Sequence, residues 1–243
     1  FIQAGNAVSD FSSINENGNY IVFASRASNL LAPPGGGSYQ TTSGQQIFLK
    51  LRQSREVVLA SSTVTGVQAN ADCFNPSISA DGRYVAYDSR ANNIVSGANS
   101  FVLSIIYFLD TQRYSTAFLS RNSAGDLANG DSFTPRMSQS GRFVVFQSLA
   151  RNLDASRPLP ATNRKPQIYF HDRDVNSTGT FDTAGNTATY LVSVNDTGVV
   201  ANDTCQNPAV NLDDTSDEIA VNGGMHVAYA SYATNLPSYT GYA

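Results

Sequence analysis

One pattern recurs along the chain at intervals of tens of residues, and it restricts the fold more than any other feature. The segments NENGNYIVFASRASNLL (from residue 15), SADGRYVAYDSRANNIV (79), SQSGRFVVFQSLARNLD (138) and GGMHVAYASYATNLP (223) align without gaps. Gly18, Gly82, Gly141 and Gly224 fall in register, followed by Tyr20, Tyr84, Phe143 and His226, then Phe23, Tyr87, Phe146 and Tyr229. Ser25, Ser89, Ser148 and Ser231 come next, then Ala27, Ala91, Ala150 and Ala233, then Asn29, Asn93, Asn152 and Asn235. Leu30, Ile94, Leu153 and Leu236 close the pattern. Repeats at such a spacing specify a solenoid or a propeller.

Strand content decides between the two. The residues after each Gly are β-branched or aromatic, which suits a strand. The Gly in ADGR or QSGR supplies the positive φ of a tight reversal. A short strand precedes that turn at 11–14, 76–79, 135–138 and 208–211. A third strand follows at 47–51, 105–110 and 167–172, and a fourth at 57–61, 116–120 and 189–194. Four antiparallel strands in roughly sixty residues make a propeller blade somewhat longer than usual. A blade covers its faces only by leaning on its neighbours, so Tyr84, Phe143 and their counterparts are expected at blade-to-blade contacts.

The expected architecture is therefore all-β, a β-propeller of four-stranded antiparallel blades. Residues 1–243 form a single β-propeller domain or fragment, with units at about 11–73, 74–132, 133–205 and 206–243 and residues 1–10 as the tail of a preceding or closing blade. That is about three and a half to four blades, against a usual 4–8. Either Phe1–Gln3 completes the fourth blade, or the sequence is an excerpt of a larger ring. An uncovered half-blade offers a strand edge, so HVAYASY at 226–232 is expected to pair with a partner chain.

The repeat P-x-I-S-x-D-G-R-Y-V-A-Y (76–87), followed by S-x-A-x-N at 89–93 and introduced by ANADC at 69–73, resembles the TolB-type propeller repeat of bacteria over nearly the whole chain. The resemblance implies the fold and leaves the function open, because such repeats serve many roles. It also implies an acidic, Gly-containing insertion, which DRDVNSTGTFD at 172–182 resembles. Oxygens at alternating positions can converge on a hard cation, so calcium held by Asp172, Asp174, Asn176, Thr178 and Asp182 is the candidate metal site. Ser177 stands where a Gly would ease the turn, and Thr183 replaces the terminal Glu, lowering the charge available to the ion.

Other chemistry is sparse. The net charge of −4 and the scattered Arg residues give no footprint for nucleic acid. The longest apolar run, 100–109, is strand-sized and too short to span a membrane as a helix. His171 and His226 are the only histidines, and no nucleophile elbow, zinc-binding His-Glu-x-x-His or phosphate loop occurs. Gly35–Gly37 read as a loop, and Asp213, Asp214, Asp217 and Glu218 as solvated carboxylates. Cys73 and Cys205 occupy the same repeat position, which places them too far apart for a disulfide. Asn176, Asn195 and Asn202 head N-x-Ser/Thr sequons.

Abundant Asn, Ser, Thr and Gly with few Lys suits an exported surface, whether periplasmic, cell-surface or extracellular. A first residue other than Met fits a processed or excerpted chain. Together these features lead to a non-enzymatic propeller, a protein-interaction or structural subunit of an extracellular or envelope assembly. The alternatives are a propeller that binds glycan or peptide, with Tyr-rich LPSYTGYA (236–243) as a platform, and an accessory propeller of a hydrolase whose catalytic domain lies elsewhere.

Overall fold

A computed structural model describes residues 4–31, 44–97, 103–210 and 226–236. Its elements are all strands: β1 (Ser9–Ile14), β2 (Tyr20–Ser25), β3 (Gln46–Leu51) and β4 (Val57–Leu59) form the first antiparallel sheet. The second holds β5 (Cys73–Ile78), β6 (Tyr84–Ser89), β7 (Ile105–Asp110) and β8 (Ser115–Phe118). The third holds β9 (Ser132–Met137), β10 (Phe143–Ser148), β11 (Gln167–Asp172) and β12 (Ala188–Leu191). In the fourth, β13 (Cys205–Val210) pairs with β14 (Val227–Ser231). Each complete sheet runs in sequence order from first to fourth strand, the meander of a propeller blade. No helix of the described residues is long and apolar enough to cross a membrane.

The blades lean on one another as the repeat demands. Val22, Ile47 and Leu49 of the first blade share a core with Val85, Tyr87 and Tyr107 of the second. Tyr84, Ile106 and Phe108 of the second meet Val144, Phe146 and Tyr169 of the third, and Val145 and Phe170 of the third meet Val210 and Val227 of the fourth. The innermost strands touch in the order β1, β5, β9, β13, and no seam of that kind joins β13 back to β1 among the described residues. The product is an arc of blades whose middle is driest: β6, β7, β10 and β11 are buried throughout, whereas β1 and β14 are largely exposed.

The innermost strands begin earlier than the hydrophobic pattern alone indicates, and each contains a bulge. Register slips occur between Asp10 and Ser13, Phe74 and Ser77, and Gln206 and Ala209, with the matching slip in the third blade opposite Val145 and Gln147. Phe11, Asn75, Thr134 and Asn207, one per blade, take positive φ at these bulges. Three of the four precede a proline, and Thr134 is a β-branched residue forced into the left-handed region. A kink repeated at the same place in every blade bends the inner strand where it approaches its neighbour.

The repeated Asn residues join loops. Asn29, Asn93, Asn152 and Asn235 donate to the carbonyls of Ala4, Gln68, Leu127 and Val200, and accept from the backbone N–H of Asn6, Asn70, Asn129 and Asn202. The second set accepts in turn from the N–H of Ser28, Asn92, Arg151 and Thr234. This reciprocal pair ties the segment entering each blade to the loop between its second and third strands. The repeated Ser residues cap that loop through the N–H of Ala27, Ala91, Ala150 and Ala233.

Candidate functional site

The insertion after β11 lies against the second blade. Asp172 ends β11 and receives Nε and Nη2 of Arg142 at 2.9 and 3.1 Å, plus the N–H of Asp174 at 2.8 Å. The repeat explains that pair, because Arg83 grips Asp110 in the same way at the end of β7. Both guanidinium groups also lie 4.7 Å from a ring centroid, that of Tyr84 or of Phe143.

Arg173, the next residue, is the largest fully buried side chain of the described residues. Its Cζ sits 3.6 Å from the ring centroid of Phe108, 4.7 Å from that of Tyr84 and 4.8 Å from that of Phe181. Nη2 donates to Asp182 at 2.6 Å and Nη1 to the Gly141 carbonyl at 2.5 Å. Asp182 also faces Arg121 at 3.5 Å. A cation out of water thus has a carboxylate, a carbonyl and three aromatic rings around it, which answers the cost of burying it.

Asp174 organises the rest of the loop. Its Oδ1 accepts from Thr178 N–H (3.0 Å), Thr178 Oγ1 (2.8 Å) and Asn186 Nδ2 (2.5 Å), and its Oδ2 from Gly179 N–H at 2.6 Å. Burial pushes this carboxyl up, but these hydrogen bonds outweigh it and hold the pKa below the ordinary carboxylate value. Asn176 and Thr178 are exposed, and Asn176 bonds to Asn186 through its N–H. The sharp turn anticipated at Ser177 is there, with φ of 52° on a residue other than Gly.

A calcium ion requires about six to eight oxygen ligands. Asp172 and Asp182 turn theirs to guanidinium groups, and all four hydrogen bonds to Asp174 come from the loop itself. Among the described residues no group of three or more His, Cys, Asp or Glu could hold a metal ion. In this arrangement the donor set does not fit calcium; the loop closes on its own hydrogen bonds.

The groups with nucleophilic or basic capacity are held inert. Cys73 and Cys205 are free and buried, as their shared repeat position requires. Burial pushes the Cys73 thiol up to about 12 and also raises Cys205, so both stay protonated at neutral pH. His171 is fully buried against Thr189, 2.8 Å from Nδ1, and burial, then Arg121 and Arg173, lower its pKa to about 3. It is a neutral core residue. Asp88, on the inner side of the same seam, is pushed up to about 6 by burial, against hydrogen bonds from Asn75 and the Thr134 N–H.

Asn195 and Asn202 of the sequons use their side chains in loop hydrogen bonds, while Asn176 lies exposed on the insertion. Gly35–Gly37, Asp213, Asp214, Asp217, Glu218, Phe1–Gln3 and the residues after Leu236 lie outside the described residues. Sequence reasoning read the insertion through its carboxylates and passed over Arg173 and Phe181. The available signal was an Arg between two Asp, at the position where the second blade has Thr111.

No family model matches the chain, and no curated protein matches it in sequence. Solved structures resemble it in shape. The tricorn protease is 12% identical with a TM-score of 0.45, over 80% of this chain and 18% of that one. The β-propeller domain of the Trilobed protease from Pyrococcus furiosus, described as an open velcro topology, is 13% identical with a TM-score of 0.41, over 78% and 45%. TolB from Acinetobacter baumannii is 13% identical with a TM-score of 0.45, over 93% and 41%. The chain thus spans less than half the length of each.

Proposed function

We propose that this chain is a non-enzymatic, exported β-propeller that acts as a protein-interaction or structural subunit of an extracellular, cell-surface or periplasmic assembly. The observation that carries the reading is the flank of the fourth blade. β14 pairs with β13 on one side, and no described strand pairs with it on the other. Ala228, Ala230 and Ser231 along it are exposed, as is Tyr232 at 68%. A strand edge of this kind is a template on which another chain can pair. The inert state of His171, Cys73 and Cys205 supports a role without catalysis.

The test places a photo-crosslinking amino acid at residue 230 in the producing cell, with residue 53 in the exposed β3–β4 turn as control. The reading expects a discrete adduct heavier than the chain from position 230 alone. Equal background from both positions contradicts it.

A further inference from the structure

We propose that the groove between the first and second blades is a docking site for a peptide that presents an arginine stacked on an aromatic residue. The argument comes from repeat symmetry within the molecule. Aligning the blades by strand register makes Tyr20, Leu49, Val58, Ala60 and Thr111 the counterparts of Tyr84, Phe108, Ala117, Leu119 and Arg173. In the second seam the last of these fills the space between blades. Arg173 lies over Tyr84 and Phe108, and Phe181 packs on Tyr84 at 5.4 Å between centroids.

In the first seam the counterpart of Arg173 is Thr111, and the link from β7 to β8 is a short turn with no residue to play the part of Phe181. A groove of about 560 Å³ remains, lined by Tyr20, Leu49, Val58, Ala60 and Thr111. That volume is within the range of about 300–1,000 Å³ typical of ligand sites. Among the described residues nothing occupies it.

The molecule therefore contains, one blade further on, an example of what fills such a seam: a guanidinium and an aromatic ring in contact. Charge agrees with that occupant. Glu56 is the sole charged side chain of the groove lining, and no described ion pair involves it. It supplies the anion that Asp182 supplies in the second seam. Tyr20 keeps the ring on which the cation would stack, while Leu49 in place of Phe108 leaves an aliphatic wall against which the aromatic partner can pack. The groove is separate from the β14 edge, so the result for one site leaves the other standing.

The probe is the peptide RDVNSTGTFD, residues 173–182 of this chain, added to the isotope-labelled 243-residue protein and followed by NMR. Saturable shifts are expected at Tyr20, Leu49 and Thr111. Peptides carrying Arg173→Ala or Phe181→Ala should each bind about tenfold more weakly. In the protein, Thr111→Arg should lower affinity by about tenfold by filling the groove itself, and exposed Glu56→Gln by about threefold. The two peptide variants and Glu56→Gln keep the test valid if Thr111→Arg does not fold. Absence of saturable shifts, shifts centred on Tyr84 and Phe108, or equal binding of the three peptides would overturn the proposal.

Discussion

The two complete seams of the arc have the same backbone and opposite contents. Between the second and third blades the space holds Arg173, His171 and Asp88. Arg173 is set against Asp182, Asp88 accepts the Thr134 N–H, and His171 meets Thr189 through Nδ1 while its Nε2 is buried without a hydrogen-bond partner among the described residues. Between the first and second, the same three positions hold Thr111, Leu109 and Ala24, and a groove is left over. Hydrophobic burial brings blades together in both places. The difference lies in what finishes the seam: a long insertion does so in one case, and in the other the described residues leave a groove.

Removing Arg173 should separate the seams most sharply. Arg173→Met leaves Asp182 in a half-dry site facing Arg121 alone, which should cost about 4 kcal/mol and lower the melting temperature by roughly 10 °C. Thr111→Met at the matching place should change it by no more than about 2 °C, since it fills an existing groove. Equal losses from both would mean that the seams are not counterparts.

Next in size is the acid response. His171 is neutral in the fold, with a pKa of about 3 against an ordinary 6.5. The unfolded chain therefore takes up a proton that the folded one refuses, and stability is lost as pH falls from 6.5 towards 3. His171→Leu, copying Leu109, should remove roughly 3 kcal/mol of that loss at about pH 4, read as the pH dependence of urea midpoints.

Asp88 acts in the opposite sense. Its carboxyl is raised from 3.8 to about 6, so its contribution is full below pH 3.8 and is lost as pH rises through 6. Relative to Asp88→Asn, with Arg136 still facing the site, the wild type should lose about 2 kcal/mol between pH 4 and pH 7. A variant difference independent of pH would mean that Asp88 is not held in a dry seam.

The smallest expected effect concerns the metal. With the carboxylates of the insertion already committed to internal donors, melting temperatures in millimolar calcium and in chelator should agree within about 1 °C. A clear rise with calcium would show that the loop opens its carboxylates to an ion.

The blades were readable because each strand repeats its aromatic and β-branched residues, and one register error would disturb every copy at once. The pairing of Arg142 with Asp172 was not read, although G-R and the terminal Asp recur together in the second blade, where Arg83 holds Asp110. The bulges at Asn75 and Thr134 were not readable, because a left-handed residue other than Gly leaves no compositional mark. The insertion reads differently in sequence and in structure for a physical reason. Asp172, Asp174 and Asp182 have the spacing of cation ligands, but carboxylates bind whatever donor is nearest, and here Arg142, Arg173 and backbone N–H groups reach them. Local spacing cannot report a guanidinium that arrives from another strand.

Hydrogen exchange across the isolated chain tests the open arc most directly, because local protection follows burial and neighbour contacts. Amides of β6, β7, β10 and β11 should exchange slowest, with β1 and β14 fastest by a wide margin. Protection of β14 equal to that of β10 in a monomeric sample would contradict an uncovered edge on the fourth blade.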